Sequence, residues 1–388
     1  MTPATIVHVI TDLGAGGAER MLLRLVTRST RFRHMVVSLT RGGELAPALR
    51  DAGIAVCELG IRRGALSPAA LFRLARIIRR EQPALVQTWL YHADLIGQLA
   101  AWLAAFRPVA WNLRCSNMDL GQYRWTTRLI VKVLAALSSQ PAAVLVNSHA
   151  GQRWHAALGY HPRRWAFVPN GIDTAVFRPD AEARARWRNR LGASNESVVV
   201  GMVARRDPMK DHETALAAAA ETARRNRNAV FVFAGNGVTR DNPAIARLAD
   251  AVDAPVHLLG ECREIAALTA SFDIALLSSA FGEGFPNVVA EAMATEVPCV
   301  VTDVGDAASI VGDTGRIVPP RSPDALAQAL VALTGDAPLR ARLGTAARRR
   351  VMENFDLATV VARYEDAWEG LIAAAAATRS PLAVRSGD

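Results

Sequence analysis

Short apolar runs alternate with helix-spaced stretches along nearly the whole chain. In the first half the β-rich runs fall at residues 6–10, 34–39, 54–59, 84–89, 109–113 and 143–147. Helical spacing fills 18–28, 68–81, 93–106 and 125–137 between most of them. Continuous apolar runs of strand length suit parallel strands covered on both faces, and strands alternating with helices predict βαβ units. The pattern pauses around Phe177-Arg178-Pro179-Asp180, where a charged helical segment, 181–191, begins. It restarts with strands at 198–203, 230–234, 256–259, 274–277 and 298–302. The expected architecture is α/β: two Rossmann-like doubly wound domains, 1–180 and 181–355, facing an interdomain cleft. Such sheets bind ligands outside the carboxyl ends of their strands.

Composition agrees with this division. A chain of 388 residues exceeds one typical core, and 51% hydrophobic with 21% charged residues is a globular balance. The cysteines, Cys57, Cys115, Cys262 and Cys299, are widely spaced, which favours a reducing compartment and disfavours structural zinc. The chain opens directly on strand-like sequence, without the basic and apolar regions of a signal peptide, and no run nears the ~20 apolar residues that span a bilayer. The expectation is a cytoplasmic protein, either free or peripheral on the inner face of the cytoplasmic membrane.

Charge is unevenly placed. Residues 1–180 hold 22 Lys and Arg against 10 Asp and Glu, whereas 181–388 hold 23 against 26. The basic clusters are Arg73, Arg76, Arg79 and Arg80, then Arg124, Arg128 and Lys132, then Arg163 and Arg164. They lie among Phe72, Ile77, Ile78, Tyr123, Trp125, Leu129 and Ile130. No nucleic-acid motif accompanies them, so an anionic membrane surface is the favoured partner, with an ordinary solvated face as the alternative.

The chemistry concentrates after the expected strands. The stretch from Ser279 to Pro298 follows the apolar strand at 274–277 and passes through a glycine-bearing loop into a helix, with Glu283 in the loop and Glu291 inside the helix. A helix N-terminus offers unpaired N–H groups and partial positive charge, so an anion there would be flanked by two acceptors of hydroxyl hydrogen bonds. Arg205 and Lys210 are separated by a proline-bearing turn and could converge on a diphosphate, though salt bridges to Asp207 or Asp211 explain them equally. Gly14-Ala15-Gly16-Gly17 follows the first strand and would admit a phosphate. It lacks the third glycine of the dinucleotide fingerprint, and a tight turn that binds nothing accounts for it too. His92 and Asp94 are expected at the mouth of the cleft, with His92 as acid, base or hydroxyl partner, or as a structural cap. No Asp-x-Asp pair or His/Asp/Glu cluster has metal-ligand spacing, so neither a metal nor another cofactor is expected.

Taken together, Gly16-Gly17-Ala18-Glu19-Arg20, Val168-Pro169-Asn170-Gly171-Ile172-Asp173, Arg205 with Lys210, Leu258-Leu259-Gly260 and the run from Glu283 to Glu291 make the chain resemble the retaining glycosyltransferases of family 4, which have the GT-B fold. The last run matches that family's Glu-x7-Glu motif. The resemblance implies that Arg205 and Lys210 hold the diphosphate of a nucleotide-sugar donor and that Glu283 meets the sugar hydroxyls. It implies that the backbone of Gly284, Phe285, Pro286 and Asn287 lies against sugar and phosphate, that Glu291 binds the ribose, and that the Gly16-Gly17 loop closes over the donor. It implies too that the first domain, 1–180, binds the acceptor and the second, 181–355, the nucleotide-sugar donor, with the C-terminal helix, 356–376, returning to the first domain. Many family members carry a His where Arg114 stands here, which makes His92 a substitute candidate.

The implied reaction is metal-independent transfer of a sugar, with retention, to a hydroxyl of a glycan or lipid-linked acceptor for polysaccharide or lipopolysaccharide. Two readings stand beside it: a GT-B nucleotide-sugar epimerase, and a degenerate partner subunit without catalysis. A dehydrogenase is weaker, given the failed fingerprint.

Overall fold

A computed structural model describes residues 3–14, 16–62, 67–106, 108–116 and 125–379. Ala15, Tyr123 and Arg124, named above, lie outside the described residues. The chain divides into two compact units, Met1–Pro169 with Ala358–Asp388, and Asn170–Leu357.

The first unit is built on seven parallel strands: β1 (Thr5–Ile10), β2 (Arg33–Ser38), β3 (Ala55–Glu58), β4 (Leu85–Trp89), β5 (Val109–Leu113), β6 (Ala143–Val146) and β7 (Trp165–Phe167). Their order is β3-β2-β1-β4-β5-β6-β7, with Ile6 opposite both His34 and Leu85. Connections therefore run outward in both directions from β1 and β4, and the strand order reverses between them. A crevice at such a reversal is where doubly wound sheets take ligands. All six residues of β1 are buried, as the unbroken apolar run requires of a strand covered on both faces.

Helices Pro68–Glu81, Tyr91–Leu103 and Trp125–Leu137 pack side by side in this unit. The first starts where Ser67 accepts from the Ala70 N–H, with Pro68 fitting the first turn, and buries Leu74, Ala75, Ile77 and Ile78. Helical spacing then leaves Phe72, Arg73, Arg76, Arg79 and Arg80 on the outside.

The C-terminal helix, Leu357–Arg379, lies on this same unit and buries Tyr364 and Trp368 completely. Strand residues that look polar for a core answer it. Asn112 Nδ2 donates to Tyr364 Oη at 3.2 Å, and Trp368 Nε1 donates to Gln87 Oε1. Glu365 Oε1 accepts from Ser29 Oγ and from the Thr30 and Arg31 N–H groups at 2.8–3.0 Å, so its buried charge is satisfied.

The second unit carries β8 (Val198–Val203), β9 (Ala229–Ala234), β10 (Val256–Leu258), β11 (Ile274–Leu277), β12 (Cys299–Thr302) and β13 (Arg316–Val318), ordered β10-β9-β8-β11-β12-β13 and all parallel. Alternate residues enter two cores. Val199, Val232, Ala275 and Leu277 face one, while Val200, Phe231, Phe233 and Leu276 face the other.

The boundary falls earlier than the pause near Pro179 suggests. Residues 170–179 pack with the second unit: Phe177 joins its core, the Ile172 N–H donates to Phe355 O at 2.8 Å, and the Leu357 N–H donates to Ile172 O at 2.9 Å. Charge and proline mark the start of the next helix, whereas the change of unit is set by these long-range bonds.

Candidate functional site

In the second unit the strand order reverses between β8 and β11, and the segments following those two strands meet. Lys210 ends a short 3-10 turn, Pro208–Lys210, and Asp211 takes a left-handed conformation, φ 49°, before the helix His212–Arg225. Asp211 caps that helix by accepting from the Thr214 N–H at 3.1 Å and from Thr214 Oγ1 at 2.7 Å. Two bonds tie this loop to the end of β11: Ser278 Oγ donates to Lys210 O at 2.8 Å, and the Ala280 N–H donates to Met209 O at 2.8 Å.

The side chains then converge. Lys210 Nζ lies 2.5 Å from Glu283 Oε1, and Ser279 Oγ donates to the same oxygen at 2.5 Å. Lys210 and Glu283 side chains are only 12% and 7% exposed, so their charges are held in a partly dehydrated place where each orients the other. Ser279 is itself placed by Thr302 Oγ1, which donates to Ser279 O at 2.6 Å. The Glu283 loop is braced from a third strand end: Asp306 N–H donates to Gly284 O at 2.9 Å, and Gly305, at φ 65°, passes so close that a Cβ would stand 2.3 Å from Glu283 O.

Arg205 takes a different posture. Its Nε and Nη2 donate to Asp207 Oδ2 at 3.0 and 2.8 Å, and its side chain is 59% exposed. Asp207 is held below its usual carboxylate range; partial burial pushes the other way, but the Met209 N–H and the Arg205 guanidinium outweigh it. The guanidinium is thus a surface group on a short tether, free to swing at small cost. Beneath it the backbone is tightly fitted: a Cβ on Gly235 would stand 2.2 Å from Ala204 O.

The helix Asn287–Ala294 starts at Pro286 with no side-chain cap. Asn287 Oδ1 accepts from Asn170 Nδ2 at 2.6 Å. Phe285 is buried and packs edge-on to Phe355, with centroids 5.3 Å apart, which fixes the loop between Gly284 and the helix. Glu291 is half-buried inside the helix and lines a separate recess with Val203, Thr269 and Val288.

The remaining sequence candidates belong to the first unit. Gly16 precedes the helix Gly17–Arg28, and a Cβ there would stand 2.3 Å from Glu19 Oε2; Gly17 has open space where a Cβ would go. His92 is half-buried in the first turn of Tyr91–Leu103, after Leu90, whose φ of 71° and ψ of 154° are costly for a branched side chain. Asp94 does not sit at a mouth. It is fully buried and accepts from Thr88 Oγ1 at 2.5 Å; burial holds its carboxyl well above the usual range, with the Thr88 bond working against that. The one-turn spacing from the strand end turns Asp94 into the core. Arg114 Nη1 donates to Tyr364 Oη at 2.7 Å, and the guanidinium lies 5.5 Å from the Trp89 ring centroid.

The bracing roles of Ser279, Thr302 and Gly305 have no sequence signature beyond a glycine shortly after a strand, in Asp303-Val304-Gly305-Asp306. Among the described residues, no three His, Cys, Asp or Glu gather as a metal site.

Comparison with known proteins assigns both units. Residues 15–176 match the model for Glycosyltransferase Family 4, and residues 197–336 match that for Glycosyl transferases group 1. The GDP-mannose-dependent alpha-(1-6)-phosphatidylinositol monomannoside mannosyltransferase of Mycolicibacterium smegmatis is 30% identical over 290 residues, 71% of this chain and 73% of its own. The UDP-Gal:alpha-D-GlcNAc-diphosphoundecaprenol alpha-1,3-galactosyltransferase of Escherichia coli is 23% identical over 310 residues, 78% and 79% of the two chains. Among solved structures, Anabaena HepE in complex with UDP superposes with a TM-score of 0.82 at 22% identity, over 95% of this chain and all of that one.

Proposed function

The chain belongs to the group 1, family 4 glycosyltransferases, and on that premise we propose that it moves a sugar from a nucleotide-diphosphate sugar to a hydroxyl acceptor, with retention and without a metal. Glycosyltransferase relatives that name UDP-Gal and GDP-mannose as donors, and lipid-linked acceptors, support the donor class and the acceptor class. The observation that carries the reading is the 2.5 Å contact of Lys210 and Glu283 between the ends of β8 and β11.

What such a transfer must stabilise is negative charge growing on the leaving diphosphate. Lys210 supplies a fixed cation, Arg205 a mobile fork of donors, and the uncapped first turn at Asn287 its N–H groups. Glu283, anchored by Lys210 and Ser279, meets the donor-sugar hydroxyls, and Glu291 takes the ribose. Retention follows if the diphosphate oxygen accepts the proton of the incoming hydroxyl on the face it leaves from. We assign no enzymic nucleophile. Arg114 and His92 remain acceptor-side groups in this scheme.

The acceptor is expected at an anionic membrane surface on the cytoplasmic side. Phe72, Trp125 and Leu129 are 63%, 68% and 52% exposed, Trp102 and Leu103 are exposed as well, and all five lie on the three neighbouring helices that also carry Arg73, Arg76, Arg79, Arg80, Arg128 and Lys132. Exposed aromatics beside cations suit the lipid headgroup region.

Thermal-shift screening against UDP-, GDP- and other nucleotide sugars tests the donor reading. A ligand at 100 times its dissociation constant adds about 2.7 kcal/mol of stability. Failure of every nucleotide sugar to raise Tm would sink it, and a product of inverted anomeric configuration would sink retention alone.

A further inference from the structure

One buried polar side chain of the second unit has no part in the donor chemistry described so far. His212 follows Lys210 and Asp211 as the first residue of the helix His212–Arg225, and it is fully buried. Among the described residues neither of its ring nitrogens has a hydrogen-bond partner. Buried polar groups are nearly always paired, and a phenylalanine or leucine would fill such a place without desolvating a polar ring.

The loop that encloses the imidazole is fixed at both ends. At its start the Ala204 N–H donates to Ala234 O at 2.8 Å and the Arg206 N–H donates to Asn236 O at 2.7 Å. At its end Ser278 Oγ stands 2.8 and 3.0 Å from Lys210 O and Asp211 O. The same two ends face the ring: the Ala204 backbone and Arg206 from one, Lys210 from the other. Glu213 faces it from its own helix, and Phe233 of β9 packs on it with ring centroids 6.3 Å apart. Arg206 Nη1 donates to Glu213 Oε2 at 3.1 Å, which holds that guanidinium in place beside the ring.

Burial keeps the imidazole neutral, with a pKa of about 4; Arg206 and Lys210 act in the same direction, against Glu213 and the Ala204 backbone. The helix N-terminus also disfavours a cation at this position. A diphosphate held by Lys210 changes that balance, because its negative charge offsets the cations that oppose protonation. We propose that His212 is a positioning residue of the donor site, which takes up a proton from solvent as the diphosphate binds and adds a positive charge beside Lys210 only while the donor is present. It makes no bond to the donor and acts on it through Lys210. The proposal rests on the glycosyltransferase reading and deepens it by linking donor binding to pH. A ring that is more basic in the complex than in the free protein gives the complex more bound protons between the two pKa values, so the donor binds more tightly as pH falls into that range.

Calorimetric titration of the full chain tests it. UDP-glucose, UDP-galactose, UDP-N-acetylglucosamine and GDP-mannose serve as probes, because a diphosphate diester keeps its charge in weak acid and any proton taken up is then the protein's. Titrations are run at pH 5.5 and pH 7.0, each in two buffers of different ionisation enthalpy. At least one nucleotide sugar is expected to bind with uptake of about half a proton or more at pH 5.5, and with Kd about three- to tenfold lower than at pH 7.0. His212→Phe and His212→Gln are both expected to remove that uptake and flatten the pH dependence, although only the second keeps a polar group. Neither change breaks a hydrogen bond, so both variants should retain the wild-type circular dichroism. Binding without proton uptake overturns the proposal, as does uptake that a folded variant retains, since another group then carries the proton. Loss of the fold in both variants would make the residue structural and overturn it too. If neither these sugars nor UDP and GDP bind the wild type, it is the glycosyltransferase reading that fails.

Discussion

Lys210 Nζ and Glu283 Oε1 approach to 2.5 Å across 73 residues of sequence, brought together because β8 and β11 are neighbours at the point where the strand order of the second unit reverses. Removing the cation should act on chemistry and on stability together. Lys210→Ala is expected to lower kcat about 10²- to 10³-fold, by comparison with loss of one preorganised transition-state donor. It also leaves a nearly buried Glu283 with Ser279 as a remaining hydrogen-bond donor, at a cost on the order of 3 kcal/mol. Turnover measured well below the lowered Tm separates the two effects. Unchanged kcat with the correct donor would remove Lys210 from the mechanism.

Gly305 tests how rigidly the Glu283 loop must be held. A methyl group at this position would meet Glu283 O at 2.3 Å, and φ is 65°, so Gly305→Ala must move backbone. The expected cost is about 1–3 kcal/mol of stability, with kcat falling more than tenfold as Glu283 leaves its position. Gly17→Ala, with open space around the new methyl, should leave Tm unchanged within about 0.5 kcal/mol. Equal Tm values for the two variants would contradict the packing described for Gly305.

These residues also show what the sequence could disclose. Parallel strands buried on both faces announce themselves as apolar runs, so β1, β8 and β11 were legible to within a residue or so. The edge strand β13 was not, because Arg316-Ile317-Val318 is three residues long with its middle residue exposed, too little apolar sequence to stand out. Glu283 and Lys210 were legible through a family motif. Their braces, Ser279, Thr302 and Gly305, were not, since each is chosen by what lies opposite in space. Asn170 shows the same limit for the boundary: its partner, Asn287, is 117 residues away. Asp94 shows it for burial, because one helical position decides whether a carboxylate faces water or core.

Acid should unfold the protein through its buried imidazoles. His8 and His34 form a hydrogen bond, Nε2 to Nδ1 at 3.0 Å, within 5.6 Å of the Trp368 ring, and burial holds both in the neutral form, His34 with a pKa of about 4. Burial also lowers His155 and His212 to about 4. A folded pKa below the unfolded value near 6.5 means that the unfolded chain binds more protons between those limits, so stability falls as pH drops from about 6.5 toward 4. Asp94 has the opposite sign, since its raised pKa keeps a proton that the unfolded chain releases. Unfolding at pH 5.3, followed by calorimetry in two buffers of different ionisation enthalpy, is therefore expected to take up about two to three protons net. Net release would refute the assignment of neutral buried imidazoles.

The proposed membrane attachment draws on two effects that the same surface combines, charge and exposed aromatic area, and the two can be separated. Each cation near an anionic leaflet contributes about 1 kcal/mol and is screened by salt, whereas inserted aromatic surface is not. The quadruple change of Arg73, Arg76, Arg79 and Arg80 to Ser should abolish flotation with vesicles of anionic phospholipid at low salt. Phe72→Ser with Trp125→Ser should weaken flotation at every ionic strength, because these two side chains are the most exposed large apolar groups among the described residues. All six positions lie on helix faces turned away from the core, so Tm should move by less than about 1 kcal/mol equivalent. Flotation that survives both sets of changes would place the membrane contact elsewhere on the chain. Loss of transfer to a lipid-linked acceptor, with transfer to its water-soluble headgroup retained, would show that this face serves to deliver the enzyme to its acceptor and takes no part in the chemistry.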